Sequence, residues 1–492
     1  MAATICNLAP MSYDGNLVNS LRLFKQFINY YNLDESMLGL HVAIVSAGSF
    51  FVGPFAGEII DRVGRRNGMF LGSFFSIISV VVQVATHSVA ALLVGRFLLG
   101  VAIVISVTAS TSMATELAHP KHRGLLVGSL MSLVFLFNIP VNIIGIFIYT
   151  SPSNWAWRGL VMGEGLLPVL SIPFIFLLEE SPRYLIHRGK NEKALDILAK
   201  LHGRGNRESP LVREEFEEIR STLEYEKLNE AGWLSLIKPI ANFKRFCVAC
   251  LCAIFSQITG AYTIPYFQTL IIGTAGITST KQVFLLSLGI SIWVWISMMI
   301  GSALTDRIGR KPVLIGGTCV MTLCLAVMAG LGYGYEDTGR ISYGIGSVLM
   351  LFIFMGAMAT SWLLLAYVYP PEILKFSQRA KGVSISQALG YAFSCMNQYT
   401  LPIAIKHINW RYYAIVASFN VVIIVTMWVY FPESKGMSLE ELDQVFEGVV
   451  HHEGIGIDGI QEAEADADRK DASLQDVKSV GRTDQKSSPS FY

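Results

Sequence analysis

Two residues of opposite charge, Asp14 and Arg96, lie inside otherwise apolar stretches of the sequence. A charged side chain is costly in the hydrocarbon core of a membrane, and one that occurs there is usually functional and paired. A carboxylate can bind and release a proton, and a guanidinium can pair with its ionised form. The two residues therefore predict a functional site inside the membrane-spanning part of the chain. Glu164 also lies in an apolar stretch, and the sequence alone gives it no role.

A second set of charged residues occurs twice, at a lag of about 250 residues. The repeats are DRVGRR (61–66) with DRIGRK (306–311), a Glu-x6-Arg spacing at 116–123 and again at 372–379, and ESP (180–182) with PES (432–434). Three repeats in the same order predict an internal duplication. Arginine binds carboxylate through a planar fork, so these residues predict ion pairs at helix ends. The residues concerned are Asp61, Arg65, Glu116, Arg123, Glu180 and Arg183 in the first copy, and Asp306, Arg310, Glu372, Arg379 and Glu433 in the second.

The composition indicates which elements position these residues. Of 492 residues, 52% are hydrophobic and 15% are charged, whereas soluble domains have roughly 25% charged residues. This composition predicts an all-α, polytopic membrane protein. A formal net charge of +1 argues against nucleic acid as a partner. The chain has no Walker, HExxH or nucleophile-elbow motif, so we expect no enzymatic activity, no cofactor and no metal site.

Hydropathy predicts twelve spans, because about 20 apolar residues cross a bilayer as a helix. They cover residues 2–19, 37–60, 68–86, 89–113, 125–149, 159–178, 244–272, 282–304, 313–333, 343–368, 382–405 and 411–431. The first is short, which predicts either a helix that begins flush with the membrane or a truncated first helix.

The predicted domains are two six-helix halves, 1–178 and 244–431, with a helical linker at 179–243 and a tail at 432–492 that is disordered after about residue 447. Lysine and arginine concentrate in the linker and in alternate loops. By the positive-inside rule these segments and both termini are cytoplasmic. Repeated halves around a midplane site are typical of secondary transporters.

The chain resembles the sugar porter family of the major facilitator superfamily, with fungal lactose-permease-like and hexose transporters as the nearest type. The matching motifs include GRFLLG (95–100), ESPRYL (180–185), PPEILKFSQRAKG (370–382) and PESKGMSLEEL (432–442), besides the repeated DRxGR motifs. The resemblance implies the two-half major facilitator fold and a transporter that moves a sugar or related polyhydroxy solute.

In the proton-coupled members of that family, the aspartate matching Asp14 carries the transported proton and pairs with the arginine matching Arg96. The resemblance also implies that the repeated charged residues latch the halves together on the cytoplasmic side when the cavity opens outward. The alternatives are a structural Asp–Arg pair in a uniporter, and static bridges at helix ends. The implied partners are a small-molecule substrate, protons and the lipid bilayer. We expect a functional monomer in the plasma membrane.

Family substrate contacts on the seventh helix correspond here to Gln257, with Tyr262 in place of an asparagine. On the tenth helix, Tyr367 stands in place of a substrate-stacking tryptophan. Amides suit sugars because they donate to and accept from adjacent hydroxyls. Further candidates for polar contacts are Asn138, Asn142, Gln387 and Asn397, although each could instead form an interhelical hydrogen bond. The tyrosines leave open a carrier or exporter of a non-sugar metabolite. A third alternative is a nutrient sensor whose tail signals without net transport.

Overall fold

The computed structural model describes residues 2–118, 130, 132–203, 205–228, 232–375, 378–437, 442 and 445–446. Throughout these residues the regular secondary structure is helical, without β-strands. The predicted all-α class is confirmed. Residues up to 437 belong to one unit and those from 438 onward to a second. The tail after about residue 447, which the sequence predicts to be disordered, lies outside the described residues. The helices below all belong to the first unit.

The N-terminal part of this unit contains most of the predicted spans of the first half. Its helices are α1 (Ala2–Leu21), α2 (Lys25–Tyr31), α3 (Glu35–Val63), α4 (Arg65–Ala85), α5 (Val89–Leu117), α6 (Asn138–Ile148) and α7 (Trp155–Leu177). Helix α1 packs on α7 and α5, and α4 packs on α5 and α7. These four helices therefore share one interior, which holds Asp14, Arg96 and Glu164.

Three helices follow α7 and form the linker: α8 (Pro182–His187), α9 (Asn191–His202) and α10 (Pro210–Leu228). They pack around a small apolar core that includes Leu185, Ile197 and Leu223. Helices α9 and α10 are also joined by His202 Nδ1 and Glu215 Oε2, which lie 2.6 Å apart. A 3₁₀ turn at Trp233–Leu236 leads to the next span.

The C-terminal part repeats the helical pattern. Its helices are α11 (Ile240–Ile258), α12 (Gln268–Thr274), α13 (Thr280–Ile308), α14 (Arg310–Thr338), α15 (Ile341–Thr360), α16 (Trp362–Ile373), α17 (Arg379–Ile408) and α18 (Arg411–Tyr430). We call the side of the unit where α3 and α7 end and α11 begins the linker end, and the opposite side the far end.

Nine segments in the described part of the chain are long and apolar enough to span a membrane, with α15 and α16 counted as one. Three predicted spans are not among them. Helix α1 is there as predicted, and α6 covers the end of the span predicted at 125–149, whose beginning lies outside the described residues. Helix α17 has 30 residues but is rich in serine and amide side chains. These polar side chains lower the mean hydropathy of α17, although the helix keeps the length that a membrane span needs.

The span predicted at 244–272 is interrupted. Helix α11 ends at Ile258, a 3₁₀ turn covers Ile264–Phe267, and α12 follows at once. Gly260 has a φ of 83°, in the left-handed region that glycine adopts without strain. Pro265 within the turn has no N–H to donate. The sequence between these two residues therefore bends away from a continuous helix.

The two halves meet chiefly along α3 and α17, and also through α6 and α13. In the first interface Ser46 Oγ donates to Gln398 Oε1 at 2.8 Å. The backbones approach closely near Gly39, where a Cβ would stand 2.7 Å from the carbonyl oxygen of Tyr399. Small residues at such crossings allow membrane helices to pack tightly.

Candidate substrate and proton sites

Asp14 of α1 and Arg96 of α5 form an ion pair inside the N-terminal half. Both guanidinium Nη atoms donate to the carboxylate, and the Arg96 Nη2–Asp14 Oδ2 bond is 3.2 Å long. Arg96 Nε donates to the carbonyl oxygen of His41 at 3.1 Å. The Asp14 and Arg96 side chains are 1% and 0% exposed. The structure thus joins the two predicted intramembrane charges in one bidentate pair.

A second carboxylate, Glu164 of α7, lies beside this pair. It is fully buried and interacts electrostatically with both Asp14 and Arg96. Neither of its carboxylate oxygens has a hydrogen-bond partner among the described residues. Tyr266, from the 3₁₀ turn of the C-terminal half, also interacts electrostatically with all three groups. The N-terminal half therefore encloses two carboxylates and one guanidinium, and the C-terminal half contributes the phenol of Tyr266.

The first charged cluster joins α3, α4, α5 and the start of α8 at the linker end. Arg65 pairs with Glu116 at 3.0 Å and with Asp61 at 2.9 Å. Glu180 accepts from the backbone N–H groups of Arg65 at 3.0 Å and of Arg66 at 3.2 Å. Its carboxylate therefore caps the N-terminus of α4, where negative charge is favoured.

The second cluster repeats this arrangement in the C-terminal half. Arg310 pairs with Glu372 at 3.1 Å and with Asp306 at 3.8 Å. Glu433 accepts from the backbone N–H groups of Arg310 at 2.8 Å and of Lys311 at 3.0 Å. The serine after the capping glutamate also donates a hydrogen bond in each copy: Ser181 to Glu116 and Ser434 to Glu372. The motif after α18 thus repeats the Glu-Ser order of the first copy, and only the proline has changed sides.

Three of the predicted latch arginines need separate mention. Arg123 lies outside the described residues. Arg183 is in the first turn of α8, and Arg379 begins α17 and interacts electrostatically with Glu372. The ion pairs given above join residues of one half to each other. A latch role for these residues stays a prediction.

Asn138 and Asn142 of α6 lie at a junction with the C-terminal half. Asn142 Nδ2 donates to Ser291 Oγ of α13 at 3.0 Å, and Asn16 Nδ2 of α1 donates to the same hydroxyl at 3.2 Å. The Oδ1 atom of Asn138 is buried without a hydrogen-bond partner in the described part of the chain. Asn16 and Ser291 were not predicted, and single polar residues in apolar helices give no signal that identifies their partners.

The candidates on α11 and the following turn pack against α16 and α17. Tyr262 Oη donates to the carbonyl oxygen of Leu363 at 3.3 Å, and its ring meets that of Tyr367 edge-on at 6.3 Å between centroids. Tyr391 of α17, which was not predicted, interacts electrostatically with both rings' hydroxyls. The three tyrosines thus form one half-buried aromatic cluster.

The amide candidates lie around this aromatic cluster. Asn397 Nδ2 donates to the backbone carbonyl of Gln257 at 3.1 Å. Gln387 Nε2 donates to the carbonyl oxygen of Ala366 at 3.2 Å. The Oε1 atom of Gln257 is buried and has no partner among the described residues. This acceptor is free to bind a hydroxyl group of a ligand.

At the far end, α1 contacts the turn and helix that follow α11. Asn19 Nδ2 donates to the carbonyl oxygen of Pro265 at 2.6 Å, and Thr269 Oγ1 donates to the carbonyl oxygen of Asn19 at 3.3 Å. The Arg22 guanidinium lies 4.2 Å from the centre of the Phe267 ring. These bonds tie the two halves together at the far end.

Residues 2–446 match the family model described as "Sugar (and other) transporter". The chain belongs to this family. Among its relatives, a high-affinity glucose transporter of Kluyveromyces lactis is 27% identical over 444 residues, which cover 85% of this chain and 79% of that protein. The MFS-type transporter criB of Aspergillus cristatus is 26% identical over 438 residues, covering 88% of this chain and 90% of that one.

The fold is similar to that of the xylose transporter XylE from E. coli in its inward open conformation. The TM-score is 0.75 at 21% sequence identity, and the match covers 90% of this chain and 98% of XylE. The predicted sugar porter resemblance and the major facilitator fold, with two pseudo-symmetric halves of six spans, are therefore confirmed. The protein is a multi-pass membrane transporter of this family and not an enzyme.

Proposed function

We propose that this protein is a proton-coupled symporter that moves a sugar or related polyhydroxy solute by alternating access. The observation that carries the proposal is the enclosed pair of Asp14 and Arg96 with the second acid, Glu164, beside it. Burial of an ion pair is costly and contributes little to stability by itself. Ionisable residues inside a membrane domain characteristically form proton relays. XylE, which has the same fold, is a proton:xylose symporter.

In the proposed cycle, a proton binds to Asp14 and weakens its pairing with Arg96. Tyr266 of the C-terminal half interacts electrostatically with this pair. Protonation of Asp14 therefore changes the electrostatic interaction between the two halves. The buried Arg96 guanidinium is then stabilised mainly by its hydrogen bond to the carbonyl oxygen of His41. The equilibrium between outward-facing and inward-facing states shifts because the two protonation states favour different arrangements. The contacts of Asn19 and Arg22 at the far end support an inward-facing state here.

The proposed substrate contacts are Gln257, Tyr262, Tyr367, Asn138, Asn142, Gln387 and Asn397. Two of these amides, Gln257 and Asn138, have a buried oxygen without a hydrogen-bond partner among the described residues. Such an acceptor is costly unless a ligand or water satisfies it. Sugar hydroxyl groups supply suitable donors.

The charged clusters at the linker end are proposed to hold the halves together in the outward-facing state. In the arrangement described here the Arg65–Glu116 and Arg310–Glu372 ion pairs each join residues of one half, which is compatible with an open cytoplasmic side. We also propose that the linker end is cytoplasmic with both termini, that the protein works as a monomer, and that it resides in the plasma membrane. The basic residues of the linker and of the DRxGR motifs support this orientation.

A second cargo is favoured by one observation. Tyr262 stands where an asparagine is typical of sugar porters, and with Tyr367 and Tyr391 it gives this part of the site an aromatic lining. The site therefore also suits a glycoside or a less polar metabolite. Uptake by purified protein in vesicles, with an imposed pH gradient and a panel of labelled sugars, glycosides and aromatic metabolites, tests the proposal. Proton-driven accumulation of a sugar supports it. The proposal is contradicted if every solute that the protein transports crosses the membrane without accompanying proton movement.

A further inference from the structure

The contact between α6 and α13 joins the two halves, and its register can be read from two contacts. Asn142 Nδ2 of α6 donates to Ser291 Oγ of α13 at 3.0 Å. Seven residues after Asn142, the ring of Tyr149 lies 6.2 Å from that of Phe284, which precedes Ser291 by seven residues. The two helices therefore run antiparallel, so a step forward on one matches an equal step backward on the other.

This register brings Asn138 and Trp295 to the same level of the junction. Asn138 precedes Asn142 by four residues on α6, and Trp295 follows Ser291 by four residues on α13. Four residues rise about 6 Å along a helix, and residues at that spacing share one face. Because the helices are antiparallel, both steps lead toward the linker end. Asn138 and Trp295 therefore lie on the faces that the two helices turn toward each other.

These two side chains carry complementary polar atoms that do not bond to each other. Trp295 Nε1 is a hydrogen-bond donor, and Asn138 Oδ1 is an acceptor. Both atoms are buried, and neither has a hydrogen-bond partner among the described residues. Buried polar groups are nearly always satisfied. A hydroxyl group satisfies both atoms at once, because it accepts from an N–H and donates to a carbonyl oxygen.

The neighbouring level of the junction shows a contrast. There the Ser291 hydroxyl accepts directly from Asn142 and also from Asn16 of α1, the latter at 3.2 Å. Asn16 Nδ2 also lies 3.5 Å from the backbone carbonyl oxygen of Asn138. Asn16 follows Asp14 by two residues. The unbonded atoms of Asn138 and Trp295 are therefore next to the part of α1 that carries the proposed proton site, and a solute bound there lies close to both halves.

We propose that Trp295 is a substrate-binding residue, and that it shares one hydroxyl group of the transported solute with Asn138. Trp295 Nε1–H donates to the hydroxyl oxygen, and the hydroxyl O–H donates to Asn138 Oδ1. The inference rests on the proposed function and adds to it a contact through which the solute joins the two halves. This contact selects solutes with a hydroxyl group at one defined position, and it disfavours metabolites without one.

Equilibrium binding to the purified full chain tests the inference, because binding needs no proton gradient. The probes are D-glucose, D-xylose, D-galactose and lactose, together with the monodeoxy analogues of whichever binds most tightly. Trp295→Phe keeps an aromatic ring and removes the N–H, so it should weaken binding of the parent sugar about five- to tenfold. In the wild type, loss of one particular hydroxyl should weaken binding at least tenfold. In Trp295→Phe that penalty should fall at least threefold, at that position alone.

The matched control is Trp293→Phe. Trp293 lies on the same helix, but its Nε1 already donates to the carbonyl oxygen of Phe352 at 2.9 Å. This variant loses an indole N–H of the same kind and should keep sugar affinity within twofold of the wild type. Equal affinities of Trp293→Phe and Trp295→Phe for every probe overturn the inference, because the Trp295 N–H is then satisfied by water or by the protein alone.

A second variant tests whether the two residues share one hydroxyl. Asn138→Leu removes the acceptor at similar volume, so it should lower the penalty at the same hydroxyl position as Trp295→Phe. Effects at two different positions overturn the shared contact. If Trp295→Phe does not fold, unchanged deoxy penalties in Asn138→Leu also overturn it. In each of these cases the proposed function stands, whereas a wild type that binds none of the four sugars contradicts sugar transport and the inference with it.

Discussion

Glu180 and Glu433 occupy equivalent positions in the two halves. Each carboxylate accepts hydrogen bonds from the first two backbone N–H groups of a helix, at 3.0 and 3.2 Å on α4 and at 2.8 and 3.0 Å on α14. Both helices begin after a glycine of positive φ, Gly64 at 101° and Gly309 at 116°. The duplicated sequence therefore builds the same capped helix start twice, and a serine and an arginine complete each copy.

The first prediction concerns these caps. Glu180→Gln and Glu433→Gln should each lower stability by about 1–2 kcal/mol, because each change removes a negative charge from a helix N-terminus and weakens two hydrogen bonds. Thermal unfolding of the purified variants in detergent measures the effect. Glu179→Gln is the control, since its carboxylate is exposed and pairs with Lys200 at the surface. Equal stabilities for the Glu179 and Glu180 variants would contradict the capping role.

The second prediction concerns Asp14. Asp14→Asn should abolish accumulation while equilibrium exchange remains measurable, because asparagine can still accept from Arg96 but carries no transferable proton. One proton per solute provides about 2.3 kcal/mol per 100 mV, which corresponds to roughly 45-fold accumulation. The variant should equalise the inside and outside concentrations of the solute without accumulating it. Accumulation above the outside concentration by this variant would show that the proton is carried elsewhere.

The third prediction separates stability from function at Glu164. Its buried carboxylate oxygens have no hydrogen-bond partner among the described residues, and a buried polar group left unsatisfied costs about 1–3 kcal/mol. Glu164→Leu should therefore unfold at a higher temperature, by roughly 1–2 kcal/mol in free energy, yet lose at least tenfold in proton-driven uptake. Lower stability together with unchanged uptake would assign Glu164 a purely structural role. Leu166→Ala, at an exposed position of the same helix, controls for general effects on α7.

Much of this architecture could be predicted because it depends on local patterns. Hydropathy located the spans, and the pairing of Asp14 with Arg96 followed from the cost of isolated charge in a membrane together with the family resemblance. The duplication indicated the two charged clusters, although not that Glu180 and Glu433 each cap the start of a helix. That role depends on which side chain reaches the helix start, and it becomes visible only in three dimensions.

The features that were missed depend on how helices are rotated against each other. Nothing near Glu164 in the sequence shows that α7 turns it toward Asp14. Asn16 and Tyr391 are likewise ordinary residues until their helices meet Ser291 and Tyr262. The interruption after Ile258 had a local signal in Gly260 and Pro265, but both residues are also common in membrane helices. The sequence therefore left the continuous span as the simpler interpretation.

The fourth prediction concerns cargo choice at Tyr262. Tyr262→Asn restores the amide typical of sugar porters and removes a ring that contacts Tyr367. We expect the KM for hexoses to fall at least fivefold and the KM for aromatic glycosides to rise. Tyr262→Phe keeps the ring and should change selectivity less than twofold. Inhibition assays with paired hexose and glycoside ligands measure both values. Identical selectivity in the asparagine variant and the wild type would place Tyr262 away from the substrate.

The last prediction concerns the far end. Asn19 binds the carbonyl oxygen of Pro265 and both the N–H and the hydroxyl of Thr269, so one side chain and its backbone hold the C-terminal turn against α1. Asn19→Ala leaves the Pro265 carbonyl without this donor, which costs about 1–3 kcal/mol in the closed arrangement. A loss of that size multiplies the outward-open population by roughly 5 to 150, since each 1.4 kcal/mol is tenfold. A cysteine introduced at Tyr266 should then react correspondingly faster with a membrane-impermeant maleimide added from outside. Asn32→Ala, in the loop before α3, is the control at the same end, and equal labelling rates in both variants would contradict a gating role for Asn19.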